Sequence, residues 1–419
     1  MKNTRVLKLV IAVILIAFIK PEGYTQSGGV DWIHGLGGNN VSLEDVANHY
    51  ESLRPIVSPT RNSYPTGDGI SVMATSVQAQ TGGPNRLAIS HSLGGTAVRQ
   101  VTIWSHAHWK GVVTMGSPLR GAQIAASGTN GVNQGFINNG HDRMMAGPQV
   151  GAGMAPPLFP GIGLELEPTG ILGQVFSSEF AYKANKKLMD AFGLTGNTAA
   201  DLNPASAYQN NIAVHSVATP KILVWGNEVY PILWRIVGTY TFLKHEQNGI
   251  DLANKVAGLH QNIANGEEVL SWANLPLHGF HQWRKGKWLE GRDWVNTDSN
   301  TGWQNVIGAT YTETVTNYYP HDRCGPEGFA MCELSNSYAY CVDYCTEWIP
   351  YTQTIYHNEA SDGVVTYKSA TNNGGSWQGY HREAQNVNHG EFKRVDRVEP
   401  TLNWVFNGGN NTPVFRISY

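Results

Sequence analysis

The hexapeptide Ser90-His91-Ser92-Leu93-Gly94-Gly95 sets a serine among small residues. A serine hydroxyl is a weak nucleophile until a sharp strand-to-helix turn exposes it and an adjacent base takes its proton. Such a turn leaves no room for bulky side chains two positions to either side. Gly94 meets that need, and Ser90 stands where glycine is more usual. A second glycine-rich element, His34-Gly35-Leu36-Gly37-Gly38-Asn39, lies upstream. Acyl transfer needs backbone N–H groups aimed at the oxygen that gains charge, and glycines let backbone approach a ligand closely. The N–H groups of Leu36 and Leu93 are the candidate oxyanion pair. Either element alone has an ordinary glycine turn as its alternative reading; together they point to ester or amide chemistry at Ser92.

These residues need a scaffold. Val30–Ile33 is a short β-like run ending at the glycine loop, and Ser42 fits an N-cap for a helix through about Leu53. Arg86–Ser90 is a second run, breaking at Ser92 into a small-residue stretch, Leu93–Val98, that suits a helix. Gly111–Met115 and Lys221–Trp225 read as further strands. Strands alternating with helical stretches imply a parallel sheet with crossover helices. Between Gly121 and Gly170 no period persists, and Met, Pro and Gly dominate. Long segments of this kind are commonly lids or binding loops.

The glycine loop, the serine elbow and Gly116-Ser117-Pro118-Leu119-Arg120-Gly121 together resemble bacterial lipases of the α/β-hydrolase superfamily, and the related deacylases that remodel lipid anchors. The resemblance covers residues 30–125 and islands near 220–228 and 360–395. It implies the chain order nucleophile, acid, base. Asp362, in Asp362-Gly363-Val364-Val365, is similar to the segment that presents the acid after a late strand. His389, in Val387-Asn388-His389-Gly390-Glu391, resembles the segment that presents the base. His389 would then take the Ser92 proton and Asp362 would fix its tautomer. His381 and His357 are the alternatives for the base, and Glu228 for the acid. His91 should point away from Ser92, and His34 should orient the loop that holds it.

The stretch Tyr230–Tyr356 reads as an insertion, helical from about Ile250 to Trp272, then rich in aromatic residues and asparagine. All four cysteines, Cys324, Cys332, Cys341 and Cys345, lie in its second part. In an exported chain such a cluster reads as two disulfides with three pairings open, and zinc is the rival reading. Asp68, Asp293 and Asp298 are the carboxylates a calcium ion would require, as in some lipases of this type. None forms a dense acidic ladder, so no metal or other cofactor is expected. Lys2, Arg5 and Lys8 precede the apolar run Leu9–Ile19, a secretory signal by pattern and short for a membrane span.

Charged residues make up only 15% of the chain, against about 25% in an average soluble domain. The net charge is −3 without blocks of one sign, which disfavours nucleic acid as a partner. The expectation is an α/β-hydrolase fold with a mostly parallel central sheet. Residues 1–28 would be a signal peptide and 29–419 the catalytic domain, carrying a lid at about 121–215 and a disulfide-bearing insertion at about 230–356. The expected function is a secreted, periplasmic or cell-surface hydrolase of ester or lipid substrates, with transient contact to a lipid interface. Sequence alone carries no sign of an oligomeric state. A deacylase or amidase of a glycolipid or lipid anchor is the first alternative. The second is a non-enzymatic binding protein using Trp272, Trp283, Trp288, Trp294 and Trp303 as stacking surfaces.

Overall fold

The computed structural model describes residues 28–152, 196–240, 243–322 and 346–417. The proposed signal segment up to residue 27, the four cysteines and residues 153–195 of the expected lid lie outside them. The chain divides into two compact units: Ala309–Glu359, and the remainder.

The larger unit is built on five strands: β1 (Gly29–Ile33), β2 (Gly83–His91), β3 (Trp109–Met115), β4 (Lys221–Asn227) and, beyond the second unit, β7 (Tyr380–Gln385). Their order across the sheet is β1-β2-β3-β4-β7, and all four pairings are parallel. Each strand therefore delivers its C-terminal end to the same edge of the sheet. That edge is where side chains from different crossovers can meet.

Among the described residues the helices of seven residues or more in this unit are, in chain order, α1 (Glu44–Leu53), α2 (Ile70–Gln80), α3 (Leu93–Trp104), α4 (Gln123–Thr129), α5 (Val132–Ala152), α6 (Gly196–Leu202), α7 (Ala207–Ala213), α8 (Ile232–Tyr240), α9 (Glu246–Ala273), α10 (His278–Asp293), α11 (Ser299–Val306) and α12 (Val395–Phe406). On one sheet face Val30, Trp32, Leu87, Ile89, Val113, Met115, Ile222 and Val224 pack with Val46 and Tyr50 of α1 and with Leu402 and Phe406 of α12. Alternate residues of the same strands, among them Ile33, Ala88, Val112 and Leu223, are buried on the other face. Burial on both faces explains why these strands read as continuous apolar runs rather than as alternating ones. Asp31 is the exception within β1. Its carboxylate is fully buried and accepts from Gly82 N–H (2.8 Å), Trp109 Nε1 (2.7 Å) and the guanidinium of Arg86. A buried charge is tolerated only when hydrogen-bonded and paired in this way.

Three expectations need correction. Helix α1 starts at Glu44 with Leu43 as N-cap, because Ser42 Oγ instead accepts the Asn39 N–H at 2.8 Å and closes the glycine loop. The stretch after Gly121, expected to lack regular structure, forms α4 and α5. Helix α5 escaped notice because part of its packing face is glycine: a methyl at Gly140 or Gly147 would collide with the ring of Trp294 or Trp288. The strand preceding Asp362 is not part of the central sheet. It is β6 (Thr346–Asn358), which pairs antiparallel with β5 (Thr310–Asp322) as a two-stranded ribbon that constitutes the second unit.

The insertion leaves from and returns to the end of β4 at one point. Glu228, just past β4, donates its N–H to Ser361 O at 2.6 Å. Everything from residue 229 to residue 360 is thus spliced into the end of one strand, and Asp362 emerges where β4 ends. Helix α8 lies against α9, and Trp234, Ala253, Ala257, Trp294 and Val295 form a core there. Trp288, Trp294 and Trp303 are buried, so among the five tryptophans weighed as stacking surfaces only Trp272 and Trp283 are exposed.

Candidate active site

Ser92 sits between β2 and α3 with φ 55° and ψ −134°. A non-glycine residue at positive φ is strained and persists only where its surroundings fix it. Here the Ser92 N–H donates to Met115 O (2.9 Å) and Ser92 O accepts from Gly95 N–H (3.0 Å). The need for small neighbours is explicit. A Cβ on Gly94 would lie 2.6 Å from His34 O, and one on Gly95 would lie 2.1 Å from Ser117 Oγ. Serine is accommodated at position 90 because its hydroxyl is buried and donates to Val113 O at 3.0 Å.

His389 stands opposite. Its Nε2 is 2.8 Å from Ser92 Oγ, and its Nδ1 is 2.7 Å from Asp362 Oδ2. The second carboxylate oxygen of Asp362 accepts the N–H groups of Val364 (3.0 Å) and Val365 (2.7 Å). With Asp362 an acceptor throughout, the network assigns the ring proton to Nδ1 and leaves Nε2 to accept from the serine. The backbone holds the pair in place, since His389 N–H donates to Asp362 O at 2.9 Å. Asn388 and Glu391 form a capping box around the short turn His389–Lys393.

The glycine loop lies against Ser92. A Cβ on Gly35 would sit 2.6 Å from Ser92 Cβ. Gly38 N–H donates to Gly35 O (3.1 Å), and Gly37, at φ 64°, donates to Thr66 Oγ1 (3.0 Å). His34 stacks on Tyr64 with ring centroids 4.0 Å apart and bonds Gly35 O through Nδ1 at 2.9 Å. Leu36 and Leu93 both line the cavity at Ser92. Among the described residues the N–H of neither has a hydrogen-bond partner. The cavity, about 250 Å³, is otherwise walled by Pro118, Ala122, Ile124, Leu202, Tyr240, Val364, Val365 and Lys393.

The other candidates lie elsewhere. His91 is buried beneath His389, and its Nε2 donates to the carbonyl of His389 at 2.9 Å. Burial and the nearby His389 and Lys393 charges push its pKa well below the usual histidine value, so it is neutral. His381 is on β7 with Nδ1 3.5 Å from the Tyr367 hydroxyl, and His357 belongs to the ribbon, where it pairs with Glu313 at 2.9 Å. Glu228 does not reach His389. It lies 2.5 Å from Arg235 Nε and accepts Val229 N–H, and burial, outweighing Arg235, pushes its carboxyl up to about 7. Of the calcium candidates, Asp68 is exposed, Asp293 pairs with Arg292 and Asp298 with Arg143. Among the described residues no three His, Cys, Asp or Glu side chains cluster as a metal site. Two features of the site escaped the sequence. Tyr240 and Lys393 carry no motif, and only the fold brings them to Ser92.

No family model matches the chain, and no curated protein does. Solved structures give three likenesses. An extracellular α/β-hydrolase from a Paenibacillus species is 18% identical, over 24% of this chain and 45% of that one, with a TM-score of 0.20. An esterase from Rhodococcus sp. ECU1013 is 11% identical over 54% of this chain and 79% of its own, TM-score 0.27. An N-acyl homoserine lactone degrading enzyme is 11% identical over 54% and 80%, TM-score 0.25. This chain thus spans less than half of the Paenibacillus protein. Overlaps this loose leave the site to be read from its own geometry.

Proposed function

We propose that the protein is a serine ester hydrolase of the α/β-hydrolase type, with Ser92 as nucleophile, His389 as general base and acid, and Asp362 as the group that orients the imidazole. The observation that carries this reading is the continuous Ser92–His389–Asp362 hydrogen-bond array, at 2.8 and 2.7 Å, opening on a cavity. His389 removes the serine proton as Oγ attacks the substrate carbonyl carbon. The N–H groups of Leu36 and Leu93 receive the developing oxyanion. Collapse expels the alcohol, which takes the proton from His389. Water, activated by the same imidazole, then cleaves the acyl-Ser92 ester and restores the enzyme. Oxyanion donors of this kind contribute about 2.7–4 kcal/mol each.

At about 250 Å³ the cavity falls just below the usual size range of ligand pockets, about 300–1,000 Å³, which favours a compact ester over a long acyl chain. Export, proposed from Lys2, Arg5, Lys8 and the apolar run Leu9–Ile19, places the reaction outside the cytoplasm. A panel of 4-nitrophenyl esters of increasing chain length tests the reading. Turnover that peaks at short acyl chains and vanishes in Ser92→Ala supports it; a maximum at long chains restores the lipase-like substrate class. Activity that survives in Ser92→Ala refutes the mechanism.

A further inference from the structure

One charged side chain at the cavity has no part in acyl transfer. Lys393 closes the turn that His389 opens, and it lines the same cavity as Ser92. It is partly buried, and its positive charge is felt at both His34 and His91. Among the described residues it has neither hydrogen bond nor ion pair. The carboxylates of its neighbourhood are committed elsewhere. Asp362 faces His389 and two backbone N–H groups, and Glu391 faces Arg394, Arg397 and Arg235. The same cavity is lined by Leu36, Pro118, Ile124, Leu202 and Val364 as well as by Tyr240, and none of these carries a charge that could pair with Lys393. An ammonium group partly shielded from water, with no counter-charge among the described residues, is less well stabilised than one in bulk solvent, and an anion entering the cavity would supply the missing partner. The same burial lowers the Lys393 pKa from its ordinary value.

We propose that Lys393 is a specificity-determining residue that receives an anionic group of the substrate. The preferred esters then carry a carboxylate or similar anion close to the scissile carbonyl. This inference rests on the ester-hydrolase reading and deepens it. The anion can belong to the acyl part or to the leaving alcohol, and matched substrate pairs separate the two. 4-Nitrophenyl hemisuccinate against 4-nitrophenyl pentanoate tests the acyl side. 4-Acetoxybenzoate against its methyl ester tests the alcohol side.

In one of these pairs the anionic ester should have the higher kcat/KM by about tenfold or more, the scale of a charge-assisted contact. Lys393→Met should bring the anionic-to-neutral ratio near one, chiefly through KM, and Lys393→Arg should retain most of the preference. Lys393→Gln gives the same reading should the methionine variant fail to fold. A wild-type ratio near one in both pairs overturns the proposal, and so does a ratio that Lys393→Met or Lys393→Gln leaves unchanged. Labelling by a fluorophosphonate, run in parallel, keeps the two claims apart. Labelled Ser92 with no charge preference removes only the role of Lys393, whereas absence of labelling removes the hydrolase reading and the inference with it.

Discussion

Replacing Gly35 by alanine would set a methyl carbon 2.6 Å from Ser92 Cβ, 3.1 Å from Ser92 Oγ and 3.0 Å from His91 O. Carbon atoms pack at about 3.5–4.0 Å, so the closest of these contacts is short by about 1 Å. The backbone itself would not object, because Gly35 is not among the glycines at positive φ. Relief must come from the glycine loop moving away, since Ser92 is fixed between β2 and α3. That motion carries the Leu36 N–H with it. A displacement of about 1 Å at reacting groups costs about a hundredfold in rate, and outright loss of one oxyanion donor costs about 10²–10³. The expected fall in kcat is therefore about a hundredfold or more, or about 3 kcal/mol of barrier, with KM little changed. The assay is steady-state hydrolysis of 4-nitrophenyl butyrate beside a thermal melt, which separates a local clash from general unfolding. A Gly35→Ala enzyme that melts like wild type and keeps its kcat within a few-fold would refute the placement of the loop against the nucleophile.

Three further outcomes follow from the same geometry. His389→Ala should lose nearly all turnover and His381→Ala should keep it, because only His389 lies within reach of Ser92; steady-state rates of the two variants decide this, and the reverse pattern would displace His389 as the base. Stability should fall as pH rises from about 4.5 to about 7, because burial lifts the Glu228 carboxyl to about 7 and the folded chain holds a proton that the unfolded chain has released. Glu228→Gln should flatten that stretch of the melting profile, worth about 3 kcal/mol if the full difference is expressed; an unaltered slope would show that Glu228 titrates normally. Unreduced intact mass should fall four hydrogens below that of the free-thiol chain if Cys324, Cys332, Cys341 and Cys345 form two disulfides, whereas four free thiols would return the cluster to the zinc reading.

What the sequence disclosed and what it hid have physical causes. The elbow and the glycine loop were legible because their constraints are local. Ser92 at positive φ and the close approach of Gly35, Gly94 and Gly95 to neighbouring backbone and side chains demand small residues at fixed positions in the chain. The strands were legible as apolar runs because both faces of the sheet are covered. Asp362 and His389 were singled out by resemblance of their segments. Spacing could not have found them, since the route between Asn227 and Asp362 runs, among the described residues, through α8 to α11 and the ribbon before returning to the end of β4. Helix α5 was hidden because Gly140 and Gly147 lie under tryptophan rings, so no apolar stripe betrays that face. Ser42 misled because a serine before a helix can serve the preceding turn as well as the helix. Lys393 was invisible for a different reason: a lysine at the end of a polar turn reads as solvated surface until the fold places it at a cavity.

The central claim is that the Ser92 hydroxyl is the activated nucleophile of this array. Brief exposure to a fluorophosphonate followed by peptide mapping tests it directly, because the reagent reports nucleophilicity without requiring the natural substrate. The account predicts one adduct, on the peptide containing Ser92, formed in step with loss of ester hydrolysis and absent from Ser92→Ala. An adduct on another serine, or complete inactivation while Ser92 stays unmodified, would contradict it.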